Sequence, residues 1–419
     1  MTPIHTETIR GNGVALTNLT PEPGHFMFGY YDRCPWNAGD QLHLALHIPQ
    51  QDHLPLPGES ASVGYIDRAT RTFHAVAKTR AWCHQQGAMT LWHPRLKDTF
   101  LFNDYNENEK KLCARLFEIN GHEIGRIDRP LYSISHNGRW GSSLDFGRIP
   151  RRGYSYADVP LSNESDRPDL DNDGIFMINL ADGKETLIVP YRKFLEAHPF
   201  PYTLEKSYWY LNHIVFNCDD SRIMVLCEQV RSKSGPPGGQ TNLFTMNIDG
   251  SNFCCPLPTP YWHDSERTPD RISHQLWGRT PREIIIDPNW FGDGNACVVF
   301  DESKRSMQAH RISDGFGVHA HFVFSPDGKW IACDTYPDKN NIERLGVIEV
   351  ATGTVTELGR FRHISESPFD DLRCDLHPRW SHDGTIITVD SIHSGERKIY
   401  LIDVGDIVLR KQVVAGCFG

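Results

Sequence analysis

His319 to Asp334 reads HAHFVFSPDGKWIACD. A polar entry (His319, His321) leads into a short apolar run, Phe322 to Phe324. Ser325-Pro326-Asp327-Gly328 follows, and then a second apolar run from Trp330 to Cys333. Pro326 presets the negative φ of the first central position of a tight turn, and Gly328 accepts a geometry that a side chain would resist. The stretch therefore predicts strand, turn, strand. The phrase returns at His377 to Asp390 (HPRWSHDGTIITVD), and in worn form at His213 to Cys227 (HIVFNCDDSRIMVLC) and Ser135 to Asp145 (SHNGRWGSSLD). His274-Gln275-Leu276-Trp277 keeps only the opening. Tyr31 to Leu46 and Gln86 to Phe102 keep the shape without a leading His. Seven units in 419 residues, about 60 each, are the mark of a repeat architecture.

Composition agrees. Aromatic residues at 11%, with 34 glycines and 27 prolines, suit many short strands joined by turns. A net charge of −10 argues against nucleic acid as a partner, because a phosphate backbone wants a basic face. The eleven cysteines are scattered, with no C-x-x-C, so neither a disulfide framework nor a zinc ribbon is expected. There is no apolar core of signal-peptide length at the start and no apolar run of membrane-spanning length. The expectation is a cytoplasmic protein with no membrane partner.

Along the chain, residues 1–25 read as a lead-in. Inner strands are expected near 42–47, 99–103, 131–135, 213–217, 274–277, 321–324 and 378–381. Residues 147–173 form a long polar loop with Arg148, Arg151, Arg152, Tyr154 and Tyr156 at its front, and a loop of that length in a repeat fold is usually functional or disordered. Tyr191 to His198 is the one convincing short helix, and Ile407 to Val413 reads as the last outer strand. Seven four-stranded units stack by closing on themselves, so residues 1–419 are expected to form one all-β domain, a seven-bladed β-propeller. Two β-sandwiches would need a linker, and no composition break supplies one.

Five units open with a His before the innermost strand: His136, His213, His274, His321 and His377, spaced by 47 to 77 positions. In a propeller, equivalent points of every blade lie around the central channel, so these rings should converge. A single such His is more often a local cap. Five together are what a metal or acid–base site needs, and Asp375, two residues before His377, offers an oxygen ligand.

The second half of the chain resembles oligogalacturonate lyase, a manganese-binding cytoplasmic seven-bladed propeller that cleaves uronate oligomers by β-elimination. The resemblance rests on NHIVFN (212–217), CEQV (227–230), NLFTMNIDGSN (242–252), RISHQLW (271–277), HFVFSPDGKW (321–330) and DLHPRWSHDGTIITVDSIHSGERKIYLIDV (375–404). It implies that His274 and His377 bind the metal, with His321 completing the site, and that His213 is the base. Asp375 stands where that family has a second His, and Leu372, beside Arg373, where it has a Gln. Carboxylate for imidazole still suits Mn²⁺, which is comfortable with mixed nitrogen and oxygen ligands.

Eliminating across C4–C5 of a uronate requires removal of the proton α to the carboxylate. A bound cation takes up the developing charge, and a neutral His removes the proton. Arg148, Arg151, Arg152 and Arg379 are candidates for gripping an acidic oligosaccharide, since guanidinium binds carboxylate by paired hydrogen bonds. Tyr156 is a candidate for stacking on sugar faces and Tyr154 for protonating the leaving oxygen. Tyr31, Asp32, Arg33, Gln85 and Gln86 read only as polar lining. Two other classes stay open: a non-catalytic propeller that binds a protein or carbohydrate, as TolB-like domains do, and a glycoside hydrolase. The latter would need two carboxylates facing the bond, whereas Asp145, Asp334 and Asp390 at strand ends read as blade-stabilising acids.

Overall fold

The structure is a computed structural model, and it describes residues 14–150, 153–159, 167–230, 239–257, 272–288, 297–304, 310–313, 321–364 and 371–409. Seven antiparallel sheets form the blades of a closed propeller. Blade one is His25–Met27, Leu42–Ile48, Ala61–Asp67 and Thr72–Thr79; blade two is Leu91–Trp92, Thr99–Asn106, Lys111–Glu118 and Glu123–Ile127. Blade three is Ser133–Ile134, Trp140–Ser143, Gly174–Asn179 and Glu185–Pro190. Blade four is Tyr208–Phe216, Arg222–Val230 and Gly239–Asn247. Blade five is Ile272–Trp277, Glu283–Pro288, Cys297–Asp301 and His310–Ser313; blade six is Phe322–Phe324, Trp330–Asp334, Ile342–Glu349 and Val355–Arg362. Blade seven is Arg379–Trp380, Ile386–Ser391 and Lys398–Asp403, closed on the outside by Leu16–Asn18.

That last pairing corrects the reading of residues 1–25 as a mere lead-in. Leu16 pairs with Ile402 and Asn18 with Tyr400, so the start of the chain closes the ring on its end. Part of the expected outer strand at Ile407 is instead a helical turn, Gly405–Val408. In blades one and two, 42–47 and 99–103 lie in the second strand, not the innermost. The second strands are sandwiched between neighbouring blades and buried on both faces, as in Ile386–Ser391. They therefore carry the longest apolar runs, which is why they stood out. The expected helix is present as Tyr191–Ala197.

The turn after each innermost strand sets a common register. Ser325 donates its N–H to the Trp330 carbonyl at 2.8 Å, and its Oγ accepts from the Trp330 N–H at 3.0 Å. Gly328 sits at φ +70°, where a side chain would be strained. Equivalent main-chain bonds start at Asn37, His93, Ser135, Asn217, Gly278 and Ser381. Counting four residues back from these anchors gives the axial position of every blade: Arg33, Met89, Leu131, His213, His274, His321 and His377.

Side chains at the ends of second strands fasten each blade to the next. Asn103 accepts from the Leu131 N–H at 2.8 Å, Asp334 from the His377 N–H at 2.9 Å, and Asp390 from the N–H groups of Phe28 and Gly29 at 3.1 Å each. Asp334 and Asp390 are therefore the blade-stabilising acids expected. Asp145 works locally, accepting from the Gly147 N–H at 2.8 Å.

Candidate functional site

The axial histidines do meet. Ring centroids of His274 and His321 are 4.1 Å apart, and those of His321 and His377 are 4.4 Å apart. His213, His274 and His377 have φ of +56°, +52° and +47°, and the first two sit at bulges of their strands. A left-handed residue inside a strand costs about 1–2 kcal/mol and turns its side chain away from the regular pleat. Surrounding bonds hold the strain in place, as when the His213 N–H donates to Asn212 Oδ1 at 3.0 Å.

Hydrogen bonds fix which nitrogen of each ring is available. His321 Nδ1 lies 2.8 and 3.0 Å from the two Asp334 oxygens, and His274 Nδ1 lies 3.0 Å from Asp287 Oδ2. His377 Nδ1 lies 2.9 Å from the Gly29 carbonyl. These partners can only accept, so each Nδ1 carries the proton and each Nε2 carries a lone pair. An outer acceptor that orients the ring and leaves the other nitrogen basic is the usual support of a metal-binding His. His377 Nε2 is buried with no hydrogen-bond partner, 3.7 Å from Asp375 Oδ2. Two electron-pair donors facing one another in a buried site want a cation between them. Burial, with His321, Arg379 and Arg373 nearby, pushes the His377 imidazolium well below its ordinary range, so the ring is neutral. Burial alone would raise the Asp375 carboxyl, but Arg373 and His321 hold it below its ordinary value.

Ligand atoms of His321, Asp375 and His377 all lie within 4.8 Å of one another, the one such group among the described residues. Ligands at about 2.0–2.2 Å from a cation stand roughly 3–4.4 Å apart, so this cluster fits a metal with small adjustments. His274 is one ring further along, its Nε2 3.3 Å from the Tyr336 hydroxyl. Arg373 clasps Asp375 at 2.9 and 2.8 Å. The Arg373 carbonyl accepts from Gln85 and Arg397, each at 2.9 Å, and the Leu372 carbonyl accepts from Arg397. Leu372 thus enters through its backbone, where the resembling family has an amide side chain.

His213 faces the same space. Its Nδ1 is 3.2 Å from the Tyr132 oxygen, which donates to Asn212 Oδ1 at 2.8 Å and accepts from Gln86 at 2.6 Å. With the phenol proton on Asn212, His213 Nδ1 donates and Nε2 is the basic nitrogen. Gln86 therefore helps orient His213, a role its sequence context did not reveal. Tyr154 stands 6.0 Å from His213, centroid to centroid, and its oxygen lies 3.2 Å from Arg373 Nη2. A polar cavity of about 60 Å³ opens beside these groups, lined among others by Tyr154, His213, Glu228, His274 and Tyr336.

Two residues at the centre were missed as functional groups. Tyr30 stacks on His213 at 4.8 Å and meets His377 at 4.8 Å; Tyr31 meets His321 at 4.7 Å and His274 at 6.2 Å. They sit on a loop interrupting the innermost strand of blade one, and a Cβ on the preceding Gly29 would strike the Gln86 backbone at 2.8 Å. Burial raises both phenols well above their ordinary pKa, so they stay neutral.

Four other expectations need correction. His136 lies on the turn of blade three, not at the axis, and pairs with Asp220 of blade four at 3.0 Å. Arg148 is fully buried, donates to the Trp209 carbonyl at 3.0 Å and packs 4.6 Å over Tyr208, so it is an internal anchor rather than a substrate grip. Tyr156 is buried against Phe146 and accepts from Asn103. Arg379 is buried and paired with Asp390 at 2.8 Å. Long polar side chains in an Arg- and Tyr-rich loop read as exposed, but Arg148, Tyr154 and Tyr156 pack into the ring. Arg151 and Arg152 lie outside the described residues.

No family model matches the chain, and no curated protein matches it. Solved structures do. In fold, the chain is similar to oligogalacturonate lyase. One such structure, in complex with manganese, aligns with a TM-score of 0.64 at 14% identity, over 96% of this chain and 97% of the other. Oligogalacturonate lyase from Vibrio parahaemolyticus aligns at 0.64 and 13% identity, over 95% and 96%. TolB from Acinetobacter baumannii aligns more loosely, at 0.39 and 12% identity over 87% and 81%. Identity this low speaks to the fold alone. No helix among the described residues is long and apolar enough to cross a membrane.

Proposed function

We propose that this propeller is a carbon–oxygen lyase that cleaves uronate-containing oligosaccharides by β-elimination. The observation that carries the proposal is the buried, unpartnered Nε2 of His377 facing Asp375, within a set of axial rings whose Nδ1 protons are all spoken for. His321, Asp375 and His377 would hold a divalent cation, with His274 beside them, and the mixed donor set suits Mn²⁺. Such a cation, when bound, withdraws charge from the substrate carboxylate and makes the adjacent C–H more acidic. His213 Nε2 removes that proton, with Tyr132 and Gln86 holding the ring in the needed tautomer. Tyr154 protonates the departing oxygen, its own oxygen steadied by Arg373. The partner is an acidic oligosaccharide, and a cytoplasmic setting is part of the proposal.

The test is direct. Manganese-loaded protein mixed with an oligogalacturonate should produce new ultraviolet absorbance from a 4,5-unsaturated uronate. Cleavage without that absorbance means hydrolysis and removes the proposal.

One observation favours a second reading, a non-catalytic binding propeller: Tyr30 and Tyr31 pack onto all four axial histidines. In that case the rings are core. Dialysis against Mn²⁺ followed by elemental analysis separates the two, because a packed core retains no stoichiometric metal.

A further inference from the structure

The loop that carries Tyr30 and Tyr31 divides the channel. Tyr30 lines the small cavity beside the axial histidines, whereas Asp32, Arg33 and Cys34 line a second cavity of about 400 Å³. That second space opens among the opposite, turn-side ends of the innermost strands, where Trp92, His93, His136, Phe216 and His382 also face it. Nothing in the proposed elimination uses it.

Cys34 is exposed, and its Sγ lies 3.8 Å from His382 Nε2. His382 Nδ1 in turn lies 2.8 Å from Asp40 Oδ1, and the His382 N–H donates to the same oxygen at 3.0 Å. The carboxylate holds the Nδ1 proton and leaves Nε2 turned to the sulfur, which also lies 3.6 Å from the Trp380 carbonyl. Thiol, imidazole and carboxylate in that order form the arrangement that converts a cysteine into a thiolate paired with imidazolium. We propose that Cys34 is a modification site, undergoing thiol–disulfide exchange with a small disulfide of the glutathione type admitted by this cavity. His382 takes the thiol proton; the Cys34 thiolate attacks one sulfur of the disulfide, forming a new S–S bond as the old one breaks. The departing thiolate collects the proton from His382. Cys34 is oxidised by the disulfide, which is reduced to one free thiol.

The charge environment agrees with the geometry. Cys34, then Asp40, outweigh burial to push His382 up to about 9. Asp32, Arg33, His93 and His136 line the same cavity, and the buried Arg379 is close enough to interact electrostatically with Cys34. The molecule carries its own control. Cys218 is also exposed, but burial and the flanking Asp219 and Asp220 raise its thiol.

The experiment treats the full-length protein with iodoacetamide, and separately with glutathione disulfide, from pH 5.5 to 9, and quantifies each peptide by mass spectrometry. At pH 6.5 Cys34 should react at least about tenfold faster than Cys218. His382→Gln should slow Cys34 by about tenfold and leave Cys218 unchanged. His136→Gln, which removes the matching clamp ring of blade three, should slow neither, so a general loosening of the ring would be recognised. Equal rates for Cys34 and Cys218 in the wild type, a comparison that needs no variant, would overturn the proposal. So would a mixed disulfide on Cys218 in preference to Cys34.

Discussion

Blades one to three and blades four to seven share a backbone plan but not a chemistry. At the seven equivalent axial positions the first three blades place Arg33, Met89 and Leu131; the last four place His213, His274, His321 and His377. Met89 even has the same left-handed conformation, at φ +53°, as three of the histidines. The left-handed conformation at an axial position is therefore not confined to the histidines and is not by itself a sign of catalysis. What distinguishes the histidine arc is the layer behind it. Asp287, Asp334 and the Gly29 carbonyl each take one ring proton, whereas Asn103, at the corresponding place behind Leu131, bonds the Leu131 backbone and the Tyr156 hydroxyl and no imidazole. The non-histidine arc plays a supporting part. Gln86 orients Tyr132 and through it His213, and Arg33 reaches Met89 Sδ at 2.8 Å.

The largest test of this contrast is the metal. His377→Ala should take bound Mn²⁺ from about one equivalent to none and turnover to background, because it removes the orphaned nitrogen at the centre of the cluster. Met89→Leu, at the equivalent axial position of blade two, should leave metal content unchanged. If both variants keep their metal, the ion sits elsewhere.

Next in size is the base. His213→Gln keeps a hydrogen-bonding group of similar reach but no basic nitrogen, so elimination should fall by about 10²–10⁴-fold with metal content intact. A loss of metal in this variant would move His213 into the ligand set.

Stability comes third. Asp334→Ala leaves the buried His377 N–H and the His321 Nδ1–H without their acceptor and should cost about 2–4 kcal/mol in denaturant titration, with metal affinity falling too. Asn103→Ala strands the N–H and carbonyl of Leu131 and should cost a similar amount while metal affinity is kept. Equal effects on metal binding would mean that the two arcs are held by one shared scaffold.

The sequence made the repeat legible because turn chemistry is local. Ser325-Pro326-Asp327-Gly328 announces its own geometry, and seven approximate copies announce a ring. The axial histidines of blades four to seven could be found because each stands a fixed distance before such a turn. His136 was misplaced because it belongs to the turn itself: Ser135 is the anchor there, and the axial residue four before it is Leu131. Tyr30 and Tyr31 were hidden by the loop that interrupts the first strand, which breaks the count. Burial was the hardest to read. Arg148 and Arg379 look like solvent-facing cations until the carbonyl of Trp209 and the carboxylate of Asp390 are seen to take them.

The smallest expected effect compares two clamps on the turn side. His136 pairs with Asp220 between blades three and four, and His382 pairs with Asp40 between blades seven and one. Both aspartates also accept two backbone N–H groups of the neighbouring turn. The difference is the extra partner at the second clamp, Cys34, which with Asp40 pushes His382 up to about 9. A folded value above the ordinary one near 6.5 means that folding favours the protonated ring. The contribution should therefore be complete below about pH 6.5 and fade as the pH climbs through 9. Because His382 is half exposed, solvent screens the pair and the effect on melting temperature should be only about 1–2 °C. Wild type and His382→Gln should thus differ most at pH 6 and converge by pH 10. A gap that stays constant across that range would show the ring to be neutral throughout, leaving the backbone bonds to Asp40 as the whole of the clamp.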